Sequence, residues 1–211
     1  MRTCPPPVGG HATTSDRPRR LLLRSRVLAV GLIVAALGAA AAAVLGTRGS
    51  ENGSGTTSAA AAKEKTFVDR VENVLQQAES GRKEIRAALA AGLNCSISPH
   101  EAGQRIASVA DNRQSILGQL GNLQTPTQQA DDAVTFLQQA LQQSIEADHH
   151  YRDGFFTTAQ ANPGCPVPPN ASFRLAAQSN TRATSAKQRF VSIFNPLAGR
   201  FNRRTWSAAG F

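Results

Sequence analysis

Asp148-His149-His150, with Asp153 one turn further on, is the one run in the chain whose residue types could hold a metal ion. His149 and Asp153 stand four apart, which puts them on one face of a helix. A tetrahedral site takes three or four ligands. The remaining histidines, His11 and His100, fall far from this run. The spacing therefore predicts a polar face around a partly buried Tyr151, with no metal ligand and no cofactor assigned. Asp148 also interrupts a series of apolar positions, between Ile145 and Tyr151. Arg113 interrupts another, between Val109 and Ile116. Two opposite charges on two apolar stripes predict an interhelical ion pair, whose expected role is to fix register rather than to do chemistry.

No nucleophile motif of the G-x-S-x-G type, no phosphate-binding P-loop and no H-E-x-x-H zinc helix occurs. Asp131-Asp132 opens a helical stretch, where carboxylates complement the helix dipole. No catalytic residue is assigned, and the expectation is that the chain is not an enzyme. The other chemical feature is charge. After Asp153 no acidic side chain occurs, and from Arg174 onward the side chains sum to +7. Phe201, Trp206 and Phe211 are interleaved with those charges. They could pack back on the domain or touch a membrane interface. Arg189, Arg200, Arg203, Arg204 and Trp206 are the expected contacts to an anionic surface.

The elements that carry these residues are helical. The chain has 211 residues, of which 5% are aromatic, and a formal net charge of +9. So few large rings disfavour a broad β-sandwich core, and the abundance of Ala, Gln and Leu favours helices. No alternation of strand and helix patterns suggests an α/β enzyme.

Residues 1–26 read as a disordered basic cytoplasmic tail with six Arg and one acid, Asp16. Residues 27–46 carry no charge, and 20 helical residues cover about 30 Å, the thickness of a bilayer core. The basic flank lies on the amino side. The positive-inside rule thus predicts a single-pass membrane protein with its N-terminus in the cytoplasm and its C-terminus outside. Two other readings stay open. The segment could be a cleaved secretory signal, with Ala39 to Ala43 offering cleavage sites. Arg19-Arg20-Leu21-Leu22-Leu23-Arg24 also resembles a twin-arginine export signal. All three place the remainder outside the cytosol, so nucleic acid is not an expected partner despite the charge. Residues 47–63 are rich in Gly, Ser, Thr and Ala and read as a flexible tether.

Residues 64–195 hold four apolar stripes at three- and four-residue steps. The first, from Glu64 to Ala91, carries Phe67, Val71, Val74, Ala78, Ile85 and Leu89, and Gly92 reads as its stop. Ser98-Pro99-His100-Glu101 predicts a capped helix start with a reciprocal capping box. Thr125-Pro126-Thr127-Gln128 repeats that grammar. Asn170 can cap the fourth helix, and Asn195-Pro196 should end it. The expected fold is all-α: an up-down-up-down four-helix bundle preceded by one transmembrane helix, with 196–211 as a basic aromatic C-terminal tail.

In such a bundle the loops holding Cys95 and Cys165 lie at the same end. A disulfide between them fits an oxidising compartment, and closing so long a loop contributes about 4 kcal/mol in the chain-entropy model. Cys4 stands apart on the cytoplasmic side.

Several residue groups resemble a set of proteins: Asn112-Arg113 with Leu117, Leu120 and Pro126; Ala140-Leu141 with Ser144, Ala147-Asp148 and Tyr151; and Cys165. Ala183-Thr184, Ala186-Lys187, Phe190 and Asn195-Pro196-Leu197-Ala198 extend the likeness. Over roughly residues 65 to 211 the chain is similar to uncharacterised small membrane-anchored or secreted helical proteins of high-GC Gram-positive (actinobacterial) bacteria. That resemblance implies a compartment and a helical domain, and no substrate. The leading functional expectation is a non-catalytic interaction or accessory module at the cell envelope. It would be held to the lipid bilayer through 27–46 and meet an envelope protein or anionic polymer. The alternative is an extracytoplasmic small-ligand or metal sensor whose bundle core holds its ligand near Asp148 and His149.

Overall fold

In the computed structural model the described residues are 54–161 and 165–211, all within the unit Gly49–Phe211. The expected cytoplasmic tail 1–26, the apolar segment 27–46 and Cys4 lie outside them. Four helices and no strand occur among the described residues: α1 (Ser54–Leu93), α2 (Pro99–Gly121), α3 (Gln128–Ala161) and α4 (Ala171–Arg200). None of these is long and apolar enough to cross a membrane.

The helix ends are set by side chains at their caps. Ser98 Oγ accepts from the Glu101 N–H at 3.1 Å, with Pro99 in the first turn of α2. Glu101 does not close the expected capping box; it pairs with Arg105 at 2.6 Å. For α3 the cap falls at Thr127, not Thr125: Thr127 Oγ1 accepts from the Ala130 N–H at 3.2 Å. Asn170 Oδ1 accepts from the Phe173 N–H at 3.1 Å and begins α4.

Three boundaries depart from the sequence expectation. Helix α1 starts at Ser54, so residues 54–63 are helical rather than tether. The run Ala59-Ala60-Ala61-Ala62 has the highest helix propensity available and extends the helix back from its packed part. Gly92 lies inside α1 rather than after it. A Cβ there would stand 2.6 Å from the Ala102 Cβ and 2.7 Å from the Phe155 ring, so the glycine permits a close approach of α1 to α2 and α3. Helix α4 continues through Pro196 to Arg200. The proline removes one backbone hydrogen bond, but the turn beyond it buries Leu197 and Ala198 completely.

Two apolar clusters form the core. The larger contains Phe67, Val71, Leu120, Leu137, Phe190 and Phe194, drawn from all four helices. The smaller contains Ile85, Ala88, Ile106, Val109 and Phe155. The Cys95–Cys165 disulfide joins the α1–α2 loop to the α3–α4 connection, with Cα atoms 5.9 Å apart.

After α4 the chain turns back at Asn202, a position with φ of 55°, and runs as a strap beside α1 and α4. Its contacts progress along α1, from Arg203 at Asp69 (2.8 Å) to Arg204 at Glu79 (3.3 Å) to the Phe211 oxygen at Arg82 (3.2 Å). On the α4 side Asn195 binds the Trp206 backbone at both its N–H and its carbonyl, each at 2.9 Å. Trp206 and Phe211 join the larger cluster. The sequence left open whether these aromatic residues would cover the domain or face a membrane; they are cover.

A polar cleft in the bundle as the candidate functional site

Each helix interrupts its apolar stripe once with a charge, and the four interruptions meet. Arg82 of α1 follows Ala78 by one turn. Arg113 of α2 lies between Val109 and Ile116, Asp148 of α3 between Ile145 and Phe155, and Lys187 of α4 between Ala183 and Phe190. Along every helix these positions separate residues of one apolar cluster from those of the other. The outcome is a polar layer across the bundle, opening to a cleft of about 290 Å³.

Arg113 and Asp148 form an ion pair at 5% and 2% exposure. Burial pushes the Asp148 carboxyl up to about 6, and Arg113, by charge and by hydrogen bond, holds it from rising further. The expected structural pair is thus present, and it sits in the cleft wall rather than in a dry core. Lys187, 4% exposed, donates to the backbone oxygen of Phe211 and lies 5.0 Å from that residue's ring centroid. Burial first, then the neighbouring Arg82 and Arg113, bring its ammonium down to about 7.

Arg82 is half-buried. Its Nη1 donates to the same Phe211 oxygen at 3.2 Å, while its Nε is buried without a hydrogen-bond partner among the described residues. Burial, then Arg86 and Arg113, hold its guanidinium below the usual value. Arg86 is exposed at the rim. Tyr151 completes the wall; its hydroxyl accepts from Asn180 Nδ2 at 2.9 Å, and burial raises its phenol. The side-chain charges of Arg82, Arg86, Arg113, Lys187 and Asp148 sum to +3.

The candidate metal run does not assemble. His150 faces Glu146 at 3.9 Å, Asp153 pairs with Arg152 at 2.8 Å, and among the described residues no group of three or more His, Cys, Asp or Glu is placed to hold a metal. His149 does not line the cleft.

The residues expected at an anionic surface are engaged within the chain. Arg200 binds Glu64 at 2.8 Å and Gln129 at 2.9 Å. Arg203 binds Asp69 and lies 3.7 Å from Glu72. Arg204 reaches Glu79 and stacks 3.5 Å over the Trp206 ring, and Arg189 lies 5.6 Å from the Phe136 centroid. Trp206 is 4% exposed and belongs to the core, a correction to its expected place on the surface. The carboxylates of Glu64, Asp69 and Glu79 on α1 draw Arg200, Arg203 and Arg204 onto it.

Sequence reasoning missed Arg82, Arg86 and Lys187 as cleft residues. The signal for Lys187 was present, a charge on an apolar stripe, and it was the same signal that singled out Asp148 and Arg113. The chain matches no family model, no curated protein and no solved structure.

Proposed function

We propose that the chain is a non-catalytic accessory module of the cell envelope that works by binding a small ligand in the cleft beside Asp148. In this reading the bundle has up-down-up-down topology and stands outside the cytosol behind one transmembrane helix, residues 27–46. The actinobacterial resemblance belongs to the same proposal. The observation that carries the reading is the solvent-open polar cleft between two apolar clusters, lined by charges from all four helices. Burying charged groups is costly, and a domain built only for stability would be served as well by apolar residues there. The disulfide supports an oxidising compartment. The cleft's one side-chain carboxylate is committed to Arg113, which favours binding over acid–base chemistry. Docking through the C-terminal segment has less support, because its arginines are paired within the chain.

Thermal unfolding of the full chain in mild detergent tests the reading. The probes are a panel of amino acids, dicarboxylates, sugar phosphates, polyamines and divalent metals. At about 100 Kd a ligand adds about 2.7 kcal/mol, a Tm rise of several degrees. One chemical class should produce it, and Ser144→Phe, which fills the cleft, should abolish it. A panel without any shift contradicts the proposal.

A further inference from the structure

We infer that the cleft takes a small oxyanion, a carboxylate or phosphate-like group, held by Arg82, Arg86 and Lys187. This rests on the ligand-binding reading above and names the chemistry of its ligand.

The cleft contains four cationic side chains and one side-chain carboxylate. Asp148 is already paired, and its partner Arg113 is buried with it. Among the described residues the other three cations have one chain acceptor between them, the Phe211 oxygen, which receives Lys187 and one Arg82 N–H. Arg82 Nε is left buried and unbonded. A buried donor without an acceptor costs about 1–3 kcal/mol, and a guanidinium edge is shaped to bind two oxygens of a planar or tetrahedral anion. No ion pair to Arg86 is found among the described residues. Like charges held together in a half-dry cleft repel one another. An incoming oxyanion removes that repulsion, supplies the missing acceptor at Arg82 and reaches Arg86 at the rim. The second amide N–H of Asn180, whose first goes to Tyr151, offers a further hydrogen bond, and Ile85 and Leu89 offer an apolar wall to the rest of the molecule.

The charged and titratable groups facing Lys187 are Arg82 and Arg86 of α1, Arg113 of α2, Asp148 with Tyr151 of α3, and, in direct contact, the terminal oxygen of Phe211, the last residue of the sequence. Lys187 carries its full charge only below about pH 7. Asp148 loses its negative charge below about pH 6. Both changes make the cleft more positive as pH falls, so oxyanion affinity should rise from pH 8.5 to 6.5.

The test is isothermal titration of the full chain in mild detergent and chloride buffer. The probes are sulfate and succinate, whose charge is nearly constant over this range, with spermidine as the cationic control. Succinate against sulfate separates a carboxylate ligand from a phosphate-like one. The expected result is that one of them binds, more tightly at pH 6.5 than at 8.5. Arg82→Gln and the exposed Arg86→Gln should each weaken it by about tenfold or more. Anion binding that both variants leave unchanged overturns the assignment. Binding of spermidine instead overturns the oxyanion chemistry while leaving the ligand-binding reading standing. Silence of all three probes, together with a silent thermal panel, removes both.

Discussion

Arg113 and Asp148 were legible in the sequence because each breaks an apolar stripe, and a charge on such a stripe must find a counter-charge. Removing one partner leaves the other buried and uncompensated, which costs about 3–5 kcal/mol. Arg113→Met should therefore lower stability by that amount in denaturant unfolding. Adding Asp148→Leu should restore most of the loss. An additive double variant would contradict the pairing. Lys187 and Asp148 also set a pH dependence. The Lys187 ammonium is lowered from 10.5 to about 7 by burial and by Arg82 and Arg113, so between those values the unfolded chain binds the extra proton. Its contribution is present above 10.5 and is lost as pH falls through 7. Asp148 is raised from 3.8 to about 6, again by burial, so its contribution is present below 3.8 and is lost as pH rises through 6. The two groups together place a minimum of stability between pH 6 and 7. In anion-poor buffer, Lys187→Met should flatten the rise from pH 7 to 9. An unchanged rise would place its origin elsewhere.

At the scale of elements, the helices that begin with a side-chain acceptor were readable. Ser98 and Asn170 cap where expected because capping is a local bond of three residues' reach. The ends that tertiary contact decides were not readable. Nothing local to Asn195-Pro196 says that the next turn, Leu197 and Ala198, has a core to enter. Gly92 reads as a stop until the Phe155 ring is seen against it. The strap was ambiguous for the same reason: Trp206 and Phe211 among arginines describe a membrane face as well as they describe a cover. As cover they are structural. Trp206→Ala should cost about 3–5 kcal/mol in denaturant unfolding and loosen the Phe211 oxygen from Lys187 and Arg82. A loss below about 1 kcal/mol would mean that the strap does not pack as described.

For the whole molecule, the helical class was legible in periodicity alone, whereas the cleft required knowing which stripe positions share a level. Arg82, Arg113, Asp148 and Lys187 are distant in sequence, and helix packing brings their levels together. Compartment and anchor belong to the proposal. Full-length protein confined to membranes, with one free thiol among its three cysteines, is the expected result of intact-mass and thiol analysis of the native host. A shortened species in the medium would replace the anchor with a secreted bundle.

Arg86→Gln decides whether the cationic cleft exists for a ligand or for stability. Arg86 adds to the positive charge that bears on Arg82 and Lys187. If the cluster awaits an anion, removing this charge relieves repulsion. The variant should then melt at a temperature equal to or above that of the parent in anion-poor buffer, and should lose the stabilisation that succinate or sulfate gives the parent. A variant that melts lower in anion-poor buffer, yet responds to both anions as the parent does, would contradict the account.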